Sequence, residues 1–181
     1  MLYLGIAGGV VVLILLMIMF IYNKLISARN LVQTAWSDID VNLQKRFSLV
    51  PQLVALTKGY AEHEAVLLEK IVSIRTNGSD RTSVAREDEQ VTQTLHRFTM
   101  NVENYPQLKA DGPFLDLMEQ LSKLEDHLEY ARKFYNGTTR VYNTNIQSFP
   151  ASIIAGMFGF KKADFYEINA PERVVPTTEL S

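Results

Sequence analysis

Residues 114–142, FLDLMEQLSKLEDHLEYARKFYNGTTRVY, decide the architecture. Phe114, Leu117, Leu121, Leu124, Leu128, Ala131, Tyr135, Thr138 and Tyr142 follow one another in steps of three and four without a slip. A heptad seam of this kind keeps one apolar stripe on one side of a helix. Such a helix packs along its length at a shallow angle, as in a bundle. Asp111 is placed to cap its start, with Pro113 in the first turn, where a missing N–H costs nothing. Beyond Tyr142 the stripe shifts to Ile146 and Phe149, and Pro150 ends it.

Upstream, a second seam runs through Val32, Trp36, Ile39, Leu43, Phe47, Val50 and Val54, again in steps of three and four. No Pro or Gly lies between Gly9 and Pro51, so this helix continues without a break from the N-terminal segment. Pro51 predicts a kink near residues 47–50, and Gly59 is the expected stop. Residues 62–75 give a shorter helix with Ala65, Leu68, Ile71 and Val72 on one face. Residues 76–86 (TNGSDRTSVAR) read as a mobile loop. Residues 87–104 give a further helix on Val91, Leu95, Phe98 and Val102, closed by Tyr105 and Pro106.

The N-terminal segment is of another kind. The first 23 residues carry no charged side chain, and residues 4–22 form an almost unbroken apolar run ending at Asn23 and Lys24. About 19 residues at roughly 1.5 Å each span close to 30 Å, the depth of a hydrocarbon core. In lipid the backbone must satisfy its own polar groups, so the run is a helix despite its valines and isoleucines. The competing reading, a cleaved secretory signal, calls for a basic leader, a shorter apolar core and a small-residue cleavage site after it. None of these is present. The expected fold is therefore all-α: an N-terminal transmembrane helix continuing into an elongated antiparallel four-helix bundle. The expected parts are an anchor at 1–23, the bundle at 24–150, an apolar membrane-proximal segment at 151–168 and a flexible tail at 169–181. No Lys or Arg precedes the span, whereas Lys24, Arg29, Lys45 and Arg46 follow it. The positive-inside tendency thus places the bundle in the cytoplasm, with the chain crossing its membrane once.

Composition narrows the function. A formal charge of −2 supplies no basic field, so nucleic acid is not an expected partner. The chain has no cysteine, which removes disulfides, thiol catalysis and Cys-ligated metal. Phosphate-binding loops, the nucleophile elbow and the H-E-x-x-H metallopeptidase motif are all missing from the sequence. No enzymatic activity and no cofactor are expected. A metal site would need convergence across helices, with His63 or Glu64 joining Glu125 or His127, and a metal-dependent protein is the alternative this keeps open.

Two polar clusters interrupt the seams. One is formed by residues 36–40, with Trp36 and Asp40. The other is the repeated pair Tyr135-Asn136 and Tyr142-Asn143, seven residues apart on one face. Trp36, Asp40, Asn136 and Asn143 fit either a buried polar layer that fixes register or a docking face for a partner. After Pro150 comes a segment too short to span a bilayer, with Ile153, Ile154, Met157, Phe158 and Phe160 followed by Lys161 and Lys162. It fits either a lipid-interface element beside the anchor, through which a membrane-shaping protein could act, or a plug for the end of the bundle.

Several runs resemble the LemA family: Asn30-Leu31-Val32, residues 35–41 (AWSDIDV), 49–54 (LVPQLV) and 58–64 (KGYAEHE), Ala131-Arg132 with Tyr135-Asn136, Val141-Tyr142-Asn143, Ile146 and Phe149-Pro150. Residues 108–110 (LKA) after Tyr105-Pro106, and Gly159-Phe160, fit as well, so the likeness extends over residues 22–167. The resemblance implies a bacterial single-pass membrane protein with an antiparallel helical bundle, in a family that includes a magnetosome-associated protein. It implies no established activity and no catalytic residues. It also implies a setting beside membrane zinc metallopeptidases, and so a link to membrane protein quality control. The leading expectation is a non-enzymatic, membrane-anchored scaffold or adaptor. Its expected partners are the lipid bilayer and a membrane protein, such as a membrane zinc metallopeptidase, or a second copy of itself.

Overall fold

The computed structural model describes residues 2–74 and 80–166, with backbone alone for Leu2, Leu4, Gly5, Glu62, His63, Ser73 and Ile74. The described residues fold into α1 (Leu2–Lys58), α2 (Glu62–Ile74), α3 (Arg81–Val102), α4 (Pro106–Lys109), α5 (Gly112–Gln147) and α6 (Ala151–Met157). The expected all-α class is what is seen. The expected tail at 169–181 lies outside the described residues, as does 76–79 of the expected loop.

Helix α1 runs from the apolar segment past Pro51 to Lys58 without interruption. Among the described residues it is the helix long and apolar enough to cross a membrane. The side chains of Val10, Leu13, Leu16 and Phe20 are uncovered by the rest of the protein, as lipid-facing side chains must be. At its other end Gly59 follows the last helical residue, and Ala61 donates its N–H back to the Thr57 carbonyl at 2.8 Å. Asp111 caps α5 as expected, its Oδ1 accepting from the Phe114 N–H at 3.0 Å.

The chain divides into two compact units. Among the described residues the first comprises those up to Lys45 with Ser122–Phe165, the second those from Arg46 to Leu121 with Tyr166. The core of the second unit is built from Val50 and Leu53 of α1, Leu68 and Ile71 of α2, Val91 and Phe98 of α3, Leu108 of α4, and Phe114 and Leu117 of α5. Phe98 and Phe114 meet edge to face, centroids 6.3 Å apart. Beside this core lies a buried ion pair. Arg46 donates through Nη1 to Asp88 Oδ1 at 2.8 Å and to Thr92 Oγ1 at 3.0 Å. The Tyr166 hydroxyl donates to the other Asp88 oxygen. Two buried charges are tolerated because each is paired and hydrogen-bonded.

Three expectations change. Residues 81–86 are the first turns of α3 rather than loop. The helix begins right after Asp80, whose carbonyl accepts from Val84 N–H at 3.1 Å, and Ala85 is buried. The bundle also gains two short helices, α4 and α6, that periodicity could not resolve at four and seven residues. Finally, Phe149 does not continue the α5 seam: it stands 82 % exposed, and within α5 it is Thr139 rather than Thr138 that is fully buried.

Candidate functional site

The first unit pairs the N-terminal part of α1 with the C-terminal part of α5. Leu25, Val32, Ala35, Ile39 and Leu43 are buried on α1, as are Leu124, Leu128, Ala131, Tyr135, Tyr142 and Ile146 on α5. The helices run antiparallel here: Trp36 meets Tyr135 edge to face at 5.3 Å, and residues 38–45 flank residues 127–134.

After α6 the chain turns back along α5 as an extended strap. The turn is a Schellman closure. Gly159 takes φ +70°, Phe160 N–H reaches the Ala155 carbonyl at 2.9 Å, and Gly159 N–H reaches that of Gly156 at 3.4 Å. Extended backbone without a sheet needs other partners, and α5 supplies them. The Tyr142 hydroxyl donates to the Lys161 carbonyl at 2.8 Å. Asn143 donates through Nδ2 to the Ala163 carbonyl at 2.8 Å and accepts from the Ala163 N–H at 2.9 Å. The Tyr135 hydroxyl donates to the Asp164 carbonyl at 2.8 Å. Burial pushes the Tyr142 hydroxyl above its ordinary pKa, against the opposing pull of Arg29.

The expected partner face is therefore dispersed. Asn143 is buried under the strap, Trp36 is half-buried on Tyr135, and Asn136 is half-buried. Asp40 is exposed and accepts from Gln44 Nε2 at 3.2 Å. The structure brings Trp36 to Tyr135, but it gives Asn143 to the C-terminal strap.

The apolar segment is sorted by side. Ile154 and Ala155 are buried, whereas Ile153, Met157 and Phe158 are exposed, together with Lys161 and Lys162. The Phe158 and Phe160 rings pack on Tyr22, centroids 4.7 and 5.8 Å away, and the Arg29 guanidinium lies 5.6 Å from the Phe160 ring centroid.

A groove that the seams did not reveal lies on the same pair of helices. Asp38, Val41, Asn42 and Lys45 of α1 face His127, Tyr130, Ala131 and Phe134 of α5 around a space of about 350 Å³. The Tyr130 and Phe134 rings stack within 9° of parallel, 6.4 Å apart, and Tyr130 is 72 % exposed. Its sequence signal was an aromatic pair four apart, one position off the buried stripe.

The residues considered for metal have other engagements. In the second unit Glu64 accepts from the Tyr105 hydroxyl at 2.7 Å. That hydrogen bond, with burial and the charge of Glu64, raises the Tyr105 pKa above its ordinary value. In the first unit Glu125 accepts from Arg132 at 3.1 Å, and His127 lines the groove. The side chain of His63 lies outside the described residues. Among the described residues no three of His, Cys, Asp or Glu gather as a metal site.

Comparison with known proteins finds several relatives of this chain. The protein LemA of Metamycoplasma hominis is 26 % identical over 163 residues, covering 87 % of this chain and 74 % of the relative. The magnetosome protein MamQ 2 of Paramagnetospirillum magneticum is 23 % identical over 175 residues, and MamQ of Magnetospirillum gryphiswaldense 24 % over 174. These two alignments cover 81 % and 80 % of this chain, and each spans 64 % of the magnetosome protein. The family model of the LemA family matches residues 35–180, so the chain, with its long apolar N-terminal helix, belongs to the LemA family as a membrane-associated member.

Proposed function

We propose that this protein is a non-enzymatic, single-pass scaffold of the inner membrane that presents the groove of its first unit to a helix of a neighbouring membrane protein. The observation that supports this is the stacked, solvent-facing pair Tyr130 and Phe134, set beside Val41 with Asp38 and Lys45 at its edges. Exposed aromatic side chains beside a concave apolar floor, rimmed by charge, are the usual anchors of an interface. The tether adds to this: confinement to a bilayer raises the effective concentration of two membrane proteins, so a contact of modest strength suffices. Tyr105 bonds Glu64, and Arg46 pairs with Asp88, within the second unit, where both contacts serve its stability. The family resemblance makes a membrane zinc metallopeptidase the first partner to try.

The test is a photo-crosslinking residue at position 41 of the full chain in intact cells, with position 133 as an exposed control. A discrete adduct with one membrane protein from position 41 only is expected. It should be lost in Tyr130→Ala/Phe134→Ala, since truncating an anchor side chain costs about 2 kcal/mol or roughly 30-fold in affinity. Identical adducts from both positions, or none from position 41, overturn the docking role.

A further inference from the structure

We propose that α6 and the Schellman turn after it form a second membrane contact, a short foot that lies in the bilayer interface beside the span and prefers anionic phospholipid headgroups. The level of the foot is set by Tyr22. That residue ends the apolar run, so it sits where hydrocarbon gives way to headgroups, the depth that tyrosine favours. Phe158 and Phe160 pack directly on its ring, at 4.7 and 5.8 Å, which fixes the C-terminal end of α6 at the same depth.

The side-chain sorting of α6 fits lipid. Ile154 and Ala155 face the protein, while Ile153, Met157 and Phe158 face outward, at 56, 71 and 53 % exposure. Ile153 and Met157, four residues apart on α6, lie on one apolar face. A helix whose inner and outer faces are both apolar has a second apolar medium outside it. Against water each of these large side chains forfeits the burial that acyl chains would supply.

Charge selects the headgroup. Residues 20–31 and 148–165 contain Lys24, Arg29, Lys161 and Lys162 but a single carboxylate, Asp164. Arg29 is held over Phe160, 5.6 Å from its centroid. The clasp explains how the lysine pair is held: Tyr142 grips the backbone of Lys161, and Asn143 grips that of Ala163. The exposed Lys161 and Lys162 thereby follow directly on the apolar foot, and cations held near an anionic surface are attracted to it. The proposal depends on residues 4–22 lying in a bilayer and is independent of the docking groove.

The absence of cysteine allows single labels on the full chain reconstituted in phosphatidylcholine vesicles, with or without phosphatidylglycerol. Environment-sensitive fluorophores are placed by Met157→Cys, by Ile153→Cys as a second site on the same face, by Leu13→Cys inside the span and by Lys133→Cys on the solvent side. Nitroxide lipids should quench Leu13→Cys when the quencher is deep, and Met157→Cys and Ile153→Cys when it is shallow. Lys133→Cys should be quenched by aqueous iodide. Labelled phosphatidylglycerol should be enriched several-fold around Met157→Cys, and Lys161→Gln/Lys162→Gln should bring that enrichment close to one, with helicity by circular dichroism unchanged. Water-like emission and iodide quenching at both foot labels, with Leu13→Cys still quenched by lipid, overturn the foot while leaving the anchor standing. Shielding that ignores lipid quenchers and grows with protein density assigns the patch to a second copy and also overturns it. Shallow quenching that is indifferent to phosphatidylglycerol overturns the headgroup preference.

Discussion

At position 143 an asparagine takes the place of a neighbouring β-strand. Its side-chain amide offers one donor and one acceptor, and both meet the backbone of Ala163, so a non-helical residue of the strap has no orphaned polar group. Tyr135 and Tyr142 perform half of the same service from the same face of α5. The sequence displayed the Tyr-Asn pairs seven residues apart, and a buried polar layer was one of its two readings. It could not show what they grip, because the strap offers only backbone groups, which every sequence has. Tyr142 also makes the clasp sensitive to alkali. Burial raises its pKa, so the folded state favours the protonated phenol. That contribution is complete below about pH 10, where unfolded tyrosine titrates, and is lost as pH rises through the higher folded value. We expect unfolding in detergent micelles, followed by Trp36 fluorescence, to show this alkaline loss in the wild type. Tyr142→Phe should cost about 0.5–1.5 kcal/mol at neutral pH and show a shallower alkaline decline. Parallel declines would remove Tyr142 from the account. Tyr105→Phe serves as a control for the second raised phenol, in the other unit.

Helices that announce themselves do so by repetition. The stripes of α1 and α5 were legible because each runs through many turns, and the cap at Asp111 because its chemistry is local. The first turns of α3 were not, since Arg81, Thr82, Ser83 and Arg86 leave only Val84 and Ala85 to signal an apolar face. Tertiary burial of Ala85 and Asp88 then overrides the loop-like composition. The seven residues of α6 span too few turns to display a period, and its outer apolar face looks like noise until Tyr22 is seen beside it. What fixes α6 is its exit. Gly159 at φ +70° closes the Schellman turn and returns Phe160 onto Tyr22 and Arg29. A Cβ at residue 159 would meet no atom within 4 Å, so the cost of substitution is conformational alone. Gly159→Ala is expected to lower stability by about 1–2 kcal/mol, and Gly159→Asn by less, because asparagine tolerates this backbone region. Thermal denaturation of the reconstituted chain measures both. A neutral Gly159→Ala would mean that the turn is not held in this form.

For the whole molecule, charge near the span bears on which side of the bilayer receives the bundle, and the fold adds to that charge. Along the sequence, the cations close to the span are Lys24 and Arg29, with none on the other side. The first unit adds Lys161 and Lys162, more than a hundred residues later in the chain, by seating their segment on Tyr22 at the end of the apolar run. Four cations on the bundle side, against none on the other, favour retention of that side in the cytoplasm, and C-terminal charges of this kind can influence topology. Appending green fluorescent protein to the C-terminus should give a fluorescent fusion, whereas alkaline phosphatase at the same place should be inactive. Replacing Lys24, Arg29, Lys161 and Lys162 together by glutamine should raise the fraction of inverted molecules, and restoring Lys161 and Lys162 alone should recover part of the bias. An active phosphatase fusion of the unaltered chain would put the bundle outside the cytoplasm. The groove at Tyr130 and Phe134 would then have to find its partner among proteins exposed on that side.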